Sequence, residues 1–165
     1  ECGGVSTVTY DGYTYDLVVI GDQCWFAENL RSEHYSNGDA IPGDLIDSEW
    51  SGTSEGAQTV YNWYASNLAD YGRLYNWYAV DDSRGLCPSG WHVPSDGEFM
   101  TLEMELGMSE SQANSTGWRG SEGTQMKSSP EDSPSWDGTN TSGFSGLAWG
   151  VHVGGAGLAF EELSE

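Results

Sequence analysis

The residues best suited to chemistry in this sequence are its three cysteines, Cys2, Cys24 and Cys87. A reactive thiol needs a basic neighbour that lowers its pKa, and Cys87 lies in a Pro-Ser-Gly turn without one. A zinc site needs about four ligands, whereas the pairing of Cys87 with His92 supplies only half of them. The cysteines therefore indicate structural disulfides, which form in an oxidising compartment.

An Asp-Gly pair at 11–12 favours one disulfide pairing. It is a strong two-residue hairpin signal, because apolar and polar side chains alternate on both sides of it. Counting outward from this turn places Cys2 opposite Gly21, within reach of Cys24 after a small adjustment of the loop. The favoured disulfide is therefore Cys2–Cys24, and Cys24–Cys87 is the alternative. Under the favoured pairing, Cys87 needs a partner that this chain does not contain.

Acidity is the second feature with chemical consequences. The chain carries 26 Asp and Glu against 5 Lys and Arg, a formal net charge of −21. Such a surface repels phosphate backbones and anionic lipids, which argues against nucleic-acid and membrane-surface partners. It attracts cations such as calcium, which prefers oxygen ligands on flexible loops, although solubility alone also explains the charge. Three acidic clusters are candidates for such a site: Asp44, Asp47 and Glu49; Asp81 and Asp82; and Glu131, Asp132, Asp137 and Asn140. We assign the candidate calcium ligands to the last of these clusters.

The elements that must position these residues are short. A chain of 165 residues fits one domain, and its 23 glycines predict many turns and long loops. Ser95 and Glu98 form a capping box that predicts a helix ending at Gly107, and Ser109 begins a second, shorter helix. The segment 61–65 is repeated at 75–79, where the pattern fits a helix or a strand equally well. This order of elements predicts an α+β fold with small antiparallel sheets.

Four ordered segments resemble the Fibrobacter succinogenes major paralogous domain, a family of secreted bacterial modules. They are VIGDQCWFAENLR at 19–31, YGRLYNWYAV at 71–80, GLCPSGWHVPSDGEF at 85–99 and GTNTSGFSGL at 138–147. The resemblance spans nearly the whole chain, so we assign residues 1–165 to a single domain of this type. It implies a fold similar to C-type lectins and to formylglycine-generating enzymes.

The resemblance also implies that the family's C-terminal strands are missing after Glu165. One of these strands bears a cysteine, which would be the partner of Cys87. Trp25, Trp77 and Trp91 lie inside the family segments and are most simply assigned to the core. Exposed Trp side chains stack on sugars or fill pockets of a partner, so loop tryptophans are better candidates for ligand contact. We assign ligand binding to three of them: Trp118, Trp136 and Trp149.

The function predicted from these observations is a non-enzymatic, secreted or cell-surface binding or adhesion module, with a glycan or protein as its ligand. No apolar run approaches the roughly 20 residues needed to span a bilayer. The chain begins at Glu1, which fits a cleaved secretion signal or a trimmed chain equally. The alternative is a structural subunit of an extracellular filament or surface layer that binds other copies of itself. A formylglycine-generating type of oxidase is a weaker alternative.

Overall fold

The computed structural model describes residues 2–148, 151–152 and 160–161. Short strands and short helices joined by turns make up this part of the chain, which confirms the α+β class. The chain divides into two compact units, and each is described by itself. The first contains residues up to Thr9, Thr14–Glu28 and Pro94–Leu147, and the second contains Tyr10–Tyr13 and Asn29–Val93. The single domain over 1–165 and the C-type-lectin-like topology stay predictions.

The regular elements are as follows. The strands are β1 (Thr7–Tyr10), β2 (Tyr13–Ile20), β3 (Gln23–Phe26), β4 (Gln58–Val60), β5 (Arg73–Tyr75), β6 (Val151–His152) and β7 (Phe160–Glu161). The helices are α1 (Asp47–Gly52), α2 (Asn67–Tyr71), α3 (Trp77–Val80), α4 (Asp96–Glu105), α5 (Glu110–Ala113) and α6 (Gly123–Met126), with a short 3-10 helix at Tyr61–Trp63. The strands form three small sheets, in the orders β1-β2-β3, β4-β5 and β6-β7.

The N-terminal hairpin has the predicted turn. Asp11 and Gly12 both have positive φ, at 48° and 80°, as a tight two-residue turn between twisted strands requires. After this hairpin β2 pairs antiparallel with β3, and Val19 lies opposite Cys24. Cys2 is joined to Cys24 by a disulfide with Cα atoms 5.5 Å apart, the first of the two pairings that the sequence left open.

Local capping signals define the main helix of the first unit. The backbone N–H of Ser95 donates to the Glu98 carboxylate at 2.8 Å, and the N–H of Glu98 donates to the Ser95 hydroxyl at 3.4 Å. This capping box begins α4, and Gly107 follows its end with φ 114°. Both predicted helices are thus confirmed, since a second capping box at Ser109 begins α5.

The core of the first unit forms where β2 and β3 meet α4. Ile20, Trp25 and Leu102 are buried together. The Trp25 ring packs against Phe99 and Phe144, with centroids 5.2 Å and 5.8 Å away. Trp25 therefore has the core position that its place in the sequence predicted.

The second unit is built around the β4–β5 ribbon. Gln58 pairs with Tyr75 and Val60 with Arg73 in an antiparallel register. The apolar core consists of Tyr35, Ile41, Ala79 and Leu86. Gly72, just before β5, is required there, because its φ is 66° and a Cβ would come within 2.7 Å of the Asn29 Cβ.

Replacing Leu102 by alanine tests the core of the first unit. Leu102 is wholly buried, so Leu102→Ala should lower the free energy of unfolding by about 2–5 kcal/mol. The control is Met104→Ala on the exposed side of the same helix, which should cost less than about 1 kcal/mol. Urea denaturation followed by tryptophan fluorescence measures both values, and equal losses would contradict the assigned core.

Candidate ligand-binding surfaces

Two copies of one sequence, Tyr-Asn-Trp-Tyr-Ala, follow the two strands of the β4–β5 ribbon. The copy at 61–65 begins directly after β4, and the copy at 75–79 overlaps the end of β5. Large aromatic side chains on a surface are typical of contact sites for sugars or proteins. The two copies expose four of them: Trp63, Tyr64, Trp77 and Tyr78.

The side chain of Asn76 explains why Trp77 faces outward. Its Oδ1 accepts hydrogen bonds from the N–H groups of Ala79, at 3.0 Å, and of Ala57, at 2.9 Å. Its Nδ2 donates to the Glu55 carbonyl at 2.9 Å. These bonds begin α3 so that the small Ala79 is buried, while Trp77 is 67% exposed. Our assignment of Trp77 to the core is therefore wrong.

Carboxylates accompany the aromatic side chains of α3. Asp81 ends the helix, and its backbone N–H donates to the Trp77 carbonyl at 2.9 Å. Residues four positions apart on a helix lie on the same face, which places Asp81 on the side of α3 that bears Trp77. Glu55 is exposed and is tied to this helix through Asn76. We call the set Glu55, Trp77, Tyr78 and Asp81 the α3 surface.

The first copy of the repeat has a different backbone from the second. Asn62 and Trp63 both have positive φ, at 53° and 55°, which side chains other than glycine rarely adopt. The Asn67 side chain donates to the Tyr61 carbonyl at 3.0 Å, and Tyr64 is 65% exposed. Both copies thus expose their Trp and Tyr, although they reach this result by different local structures.

Trp118 is the most exposed aromatic side chain in the first unit. Its ring is fully accessible to solvent, while the next residue, Arg119, is largely buried. Arg119 donates to Glu103 at 2.9 Å and to Asp96 at 3.2 Å, both on α4. An ion-paired residue therefore stands next to a fully exposed indole ring, and a contact role for Trp118 stays a prediction.

Trp136 is only half-buried, and one of its ring faces is occupied. The Lys127 ammonium lies 4.4 Å from the Trp136 ring centroid and also pairs with Asp137 at 3.0 Å. A ligand would have to use the remaining exposed part of the ring. Trp149, the third tryptophan that we assigned to ligand binding, lies outside the described residues.

Three of the four candidate calcium ligands, Asp132, Asp137 and Asn140, have other partners in the structure. Asn140 donates to the Asp132 carboxylate at 3.1 Å, and the N–H of Ser129 donates to it at 2.6 Å. These hydrogen bonds, led by that of Ser129, hold the pKa of Asp132 below its usual value. Asp137 pairs with Lys127, and Glu131 is exposed. Over the described residues, no group of three or more His, Cys, Asp or Glu is arranged to hold a metal.

All five basic side chains of the protein lie within the described residues, and each has a partner inside its own unit. The partners are the Tyr13 ring for Arg31, Glu33 and Gln58 for Arg73, Asp39 and Asp82 for Arg84, Asp96 and Glu103 for Arg119, and Asp137 with the Trp136 ring for Lys127. The hydrogen bond from Arg84 lowers the pKa of Asp82 to about 2. An anionic ligand would have to displace one of these partners.

A polar cluster fixes the hairpin tip in the second unit. The Asp11 carboxylate accepts hydrogen bonds from the Ser32 hydroxyl at 2.9 Å and the Glu33 N–H at 2.7 Å, and lies 2.9 Å from Nδ1 of His34. Burial raises the pKa of Asp11, but the bonds from His34, Glu33 and Ser32 outweigh it and hold the pKa below 3.8. The single hydrogen of the Ser32 hydroxyl has the Asp11 carboxylate and the His34 carbonyl as acceptors within reach, while Nδ1 of the His34 imidazole lies against Asp11. The imidazole is therefore not hydrogen-bonded to this hydroxyl as the base of a serine nucleophile would be.

Acid unfolding tests the Asp11 cluster. A carboxylate with a lowered pKa in the folded state contributes stability above about pH 4, and this stability is lost as the pH falls through the folded pKa. Urea denaturation should show the unmodified protein more stable than Asp11→Asn at pH 7, with a difference that shrinks as the pH falls below about 4 and through the folded pKa of Asp11. Ser32→Ala keeps the Asp11 carboxylate but removes one of its hydrogen-bond donors. The stability that Asp11→Asn removes at pH 7 should therefore be smaller when it is measured in the Ser32→Ala background. A difference that persists unchanged at pH 2 would contradict the cluster.

Cys87 is the free cysteine of the described chain. It is partly buried, and this burial raises the pKa of its thiol to about 11. At neutral pH the thiol is therefore protonated, and a protonated thiol is a poor nucleophile and a poor metal ligand.

Alkylation kinetics test this description of Cys87. At pH 8 the folded protein should react with iodoacetamide at least about 100-fold more slowly than the urea-unfolded chain, because the thiolate fraction is that much smaller. Mass spectrometry measures the rate, and Cys87→Ser identifies the labelled site by abolishing the reaction. Equal rates in the two states would show an activated or exposed thiol.

These features define a disulfide-containing α+β protein with aromatic side chains presented on ion-paired and hydrogen-bonded supports. The model of the Fibrobacter succinogenes major domain family matches residues 18–162, so the chain belongs to this family. No curated protein and no solved structure matches the chain. In the part of the chain that the structure describes, no helix is long and apolar enough to cross a membrane.

Proposed function

We propose that this protein is a non-enzymatic binding or adhesion module that acts outside the cell or at its surface. Its ligand is a glycan or a protein, recognised by exposed aromatic side chains. The observation that carries the proposal is Trp118, whose ring is fully exposed although its neighbour Arg119 is clamped to α4. Covering such a ring with a partner removes a large apolar area from water, which favours binding.

The α3 surface supports the same function in the second unit. The three hydrogen bonds of Asn76 hold the backbone that carries Trp77 and Tyr78 in place before any ligand arrives. A surface that is already ordered loses less conformational entropy on binding, so more of the contact energy is available as affinity. Rigid aromatic anchors of this kind dominate the energetics of many interfaces.

The location and the absence of catalysis are proposed on separate grounds. The Cys2–Cys24 disulfide fits an oxidising environment, which favours secretion or display at the surface. A formylglycine-generating type of oxidase needs a pair of reactive cysteines. Two of the three cysteines are joined to each other, and the pKa of Cys87 is raised, so the oxidase is disfavoured.

A binding array tests the proposal. Fluorescently labelled protein is applied to glycan and extracellular-protein arrays, with calcium and with EDTA, because a bound calcium stays a prediction. Trp118→Ala or Trp77→Ala should weaken binding to the retained ligand by about fivefold or more, the effect of losing a typical interface anchor. Ile46→Ala is the matched control, because it also removes an exposed apolar side chain and should leave binding unchanged.

Two outcomes would count against this function. The absence of any retained ligand in both conditions would overturn it. Light scattering that shows concentration-dependent assembly, abolished by Trp118→Ala, would favour the structural subunit of a filament or surface layer. In that case the ligand of Trp118 would be a second copy of the chain.

A further inference from the structure

We infer that the α3 surface binds a basic polypeptide segment, one that carries Arg or Lys side chains. The inference rests on the proposed function and names the chemistry of one ligand. It begins from the distribution of charge. The protein has 5 basic and 26 acidic side chains, and all five basic ones already have partners inside their own unit. The surface therefore complements a cationic partner and repels an anionic one.

The α3 surface combines the two groups that recognise a cationic side chain. The Trp77 ring is 67% exposed and offers a face on which a guanidinium or ammonium group is attracted by the π electrons. Asp81 lies one helical turn further along the same face, and Glu55 is exposed beside the Asn76 cap. An Arg or Lys stem that packs on the ring can thus place its charged end beside a carboxylate.

The carboxylates distinguish this ligand from a neutral glycan. A neutral sugar would also stack on Trp77, but it would gain nothing from the charge of Asp81 or from the net charge of the protein. Asp39, Asp82, Asp96, Glu103 and Asp137 are occupied by the protein's own cations. Asp81 and Glu55 have no such ion pair among the bridges found in the described chain, so they are available to a cation from a partner.

Fluorescence anisotropy with a labelled peptide of alternating Arg and Gly, four of each, tests the inference. We expect the peptide to bind the intact protein, and a Glu-Gly peptide of the same length and pattern not to bind. Trp77→Ala should weaken binding by roughly three- to tenfold, the effect expected for loss of a cation–π contact together with its packing. Circular dichroism verifies that each variant is folded.

The decisive comparison is between Asp81→Asn and Asp70→Asn. Asp70 is an exposed carboxylate on α2 in the same unit, so both changes alter the net charge by the same amount. Asp81→Asn should weaken binding of the basic peptide by roughly threefold or more, whereas Asp70→Asn should leave it nearly unchanged.

Three results would overturn the inference. Equal effects of the two substitutions would show attraction by net charge alone. Failure of the basic peptide to bind would remove the proposed partner. Binding of a neutral oligosaccharide such as cellohexaose that is lost in Trp77→Ala, with no dependence on Asp81, would assign the surface to a glycan. That last result would leave the proposed binding function intact, whereas the absence of any retained ligand on the arrays would overturn the function itself.

Discussion

The structure depends on how its five Arg and Lys side chains are distributed among its 26 Asp and Glu side chains. Long irregular segments have few backbone hydrogen bonds, and in this protein ion pairs supply part of what is missing. Arg73 is buried where it joins Gln58 of β4 to the carbonyl of Arg31, and it also pairs with Glu33. Arg119 joins the loop after α5 to α4 in the same way. Because the Arg and Lys side chains pair with groups of the protein itself, the charged side chains left without an ion-pair partner are mainly Asp and Glu. This excess of negative charge favours cationic ligands over anionic ones.

The two copies of the Tyr-Asn-Trp-Tyr-Ala repeat show how context selects among local structures. In the second copy Asn76 follows the end of β5, beside the start of the antiparallel β4, so its amide reaches the N–H of Ala57 and caps α3. In the first copy Asn62 has a positive φ of 53°, which Asn tolerates better than most residues, and no α-helix follows directly. The neighbours that complete the hydrogen bonds decide the outcome, since the five residues are identical.

The features predictable from the sequence were those encoded within a few residues. The turn at 11–12 and the capping box at Ser95 each depend on side chains that bond to their own backbone, so their patterns are readable without the rest of the fold. The outward position of Trp77 was not readable, because it depends on Ala79 filling the core and on contacts with Ala57 far along the chain. Likewise, acidic composition suggested calcium ligands, but it could not show that Lys127 would pair with Asp137.

Screening explains why aromatic side chains and carboxylates need each other on such a surface. At physiological ionic strength the field of a charge fades over about 8 Å, and at 1 M salt over about 3 Å. The net charge of −21 can therefore steer a cationic partner only at short range. What holds the partner must be in contact with it, and contact with Trp77 excludes the water and salt that would otherwise weaken a pair with Asp81. A carboxylate one helical turn from an exposed indole therefore contributes more to the affinity for a cationic partner than a carboxylate that stays in open solvent. A partner packed on the indole lowers the local dielectric constant around the ion pair, which strengthens the attraction between the two charges.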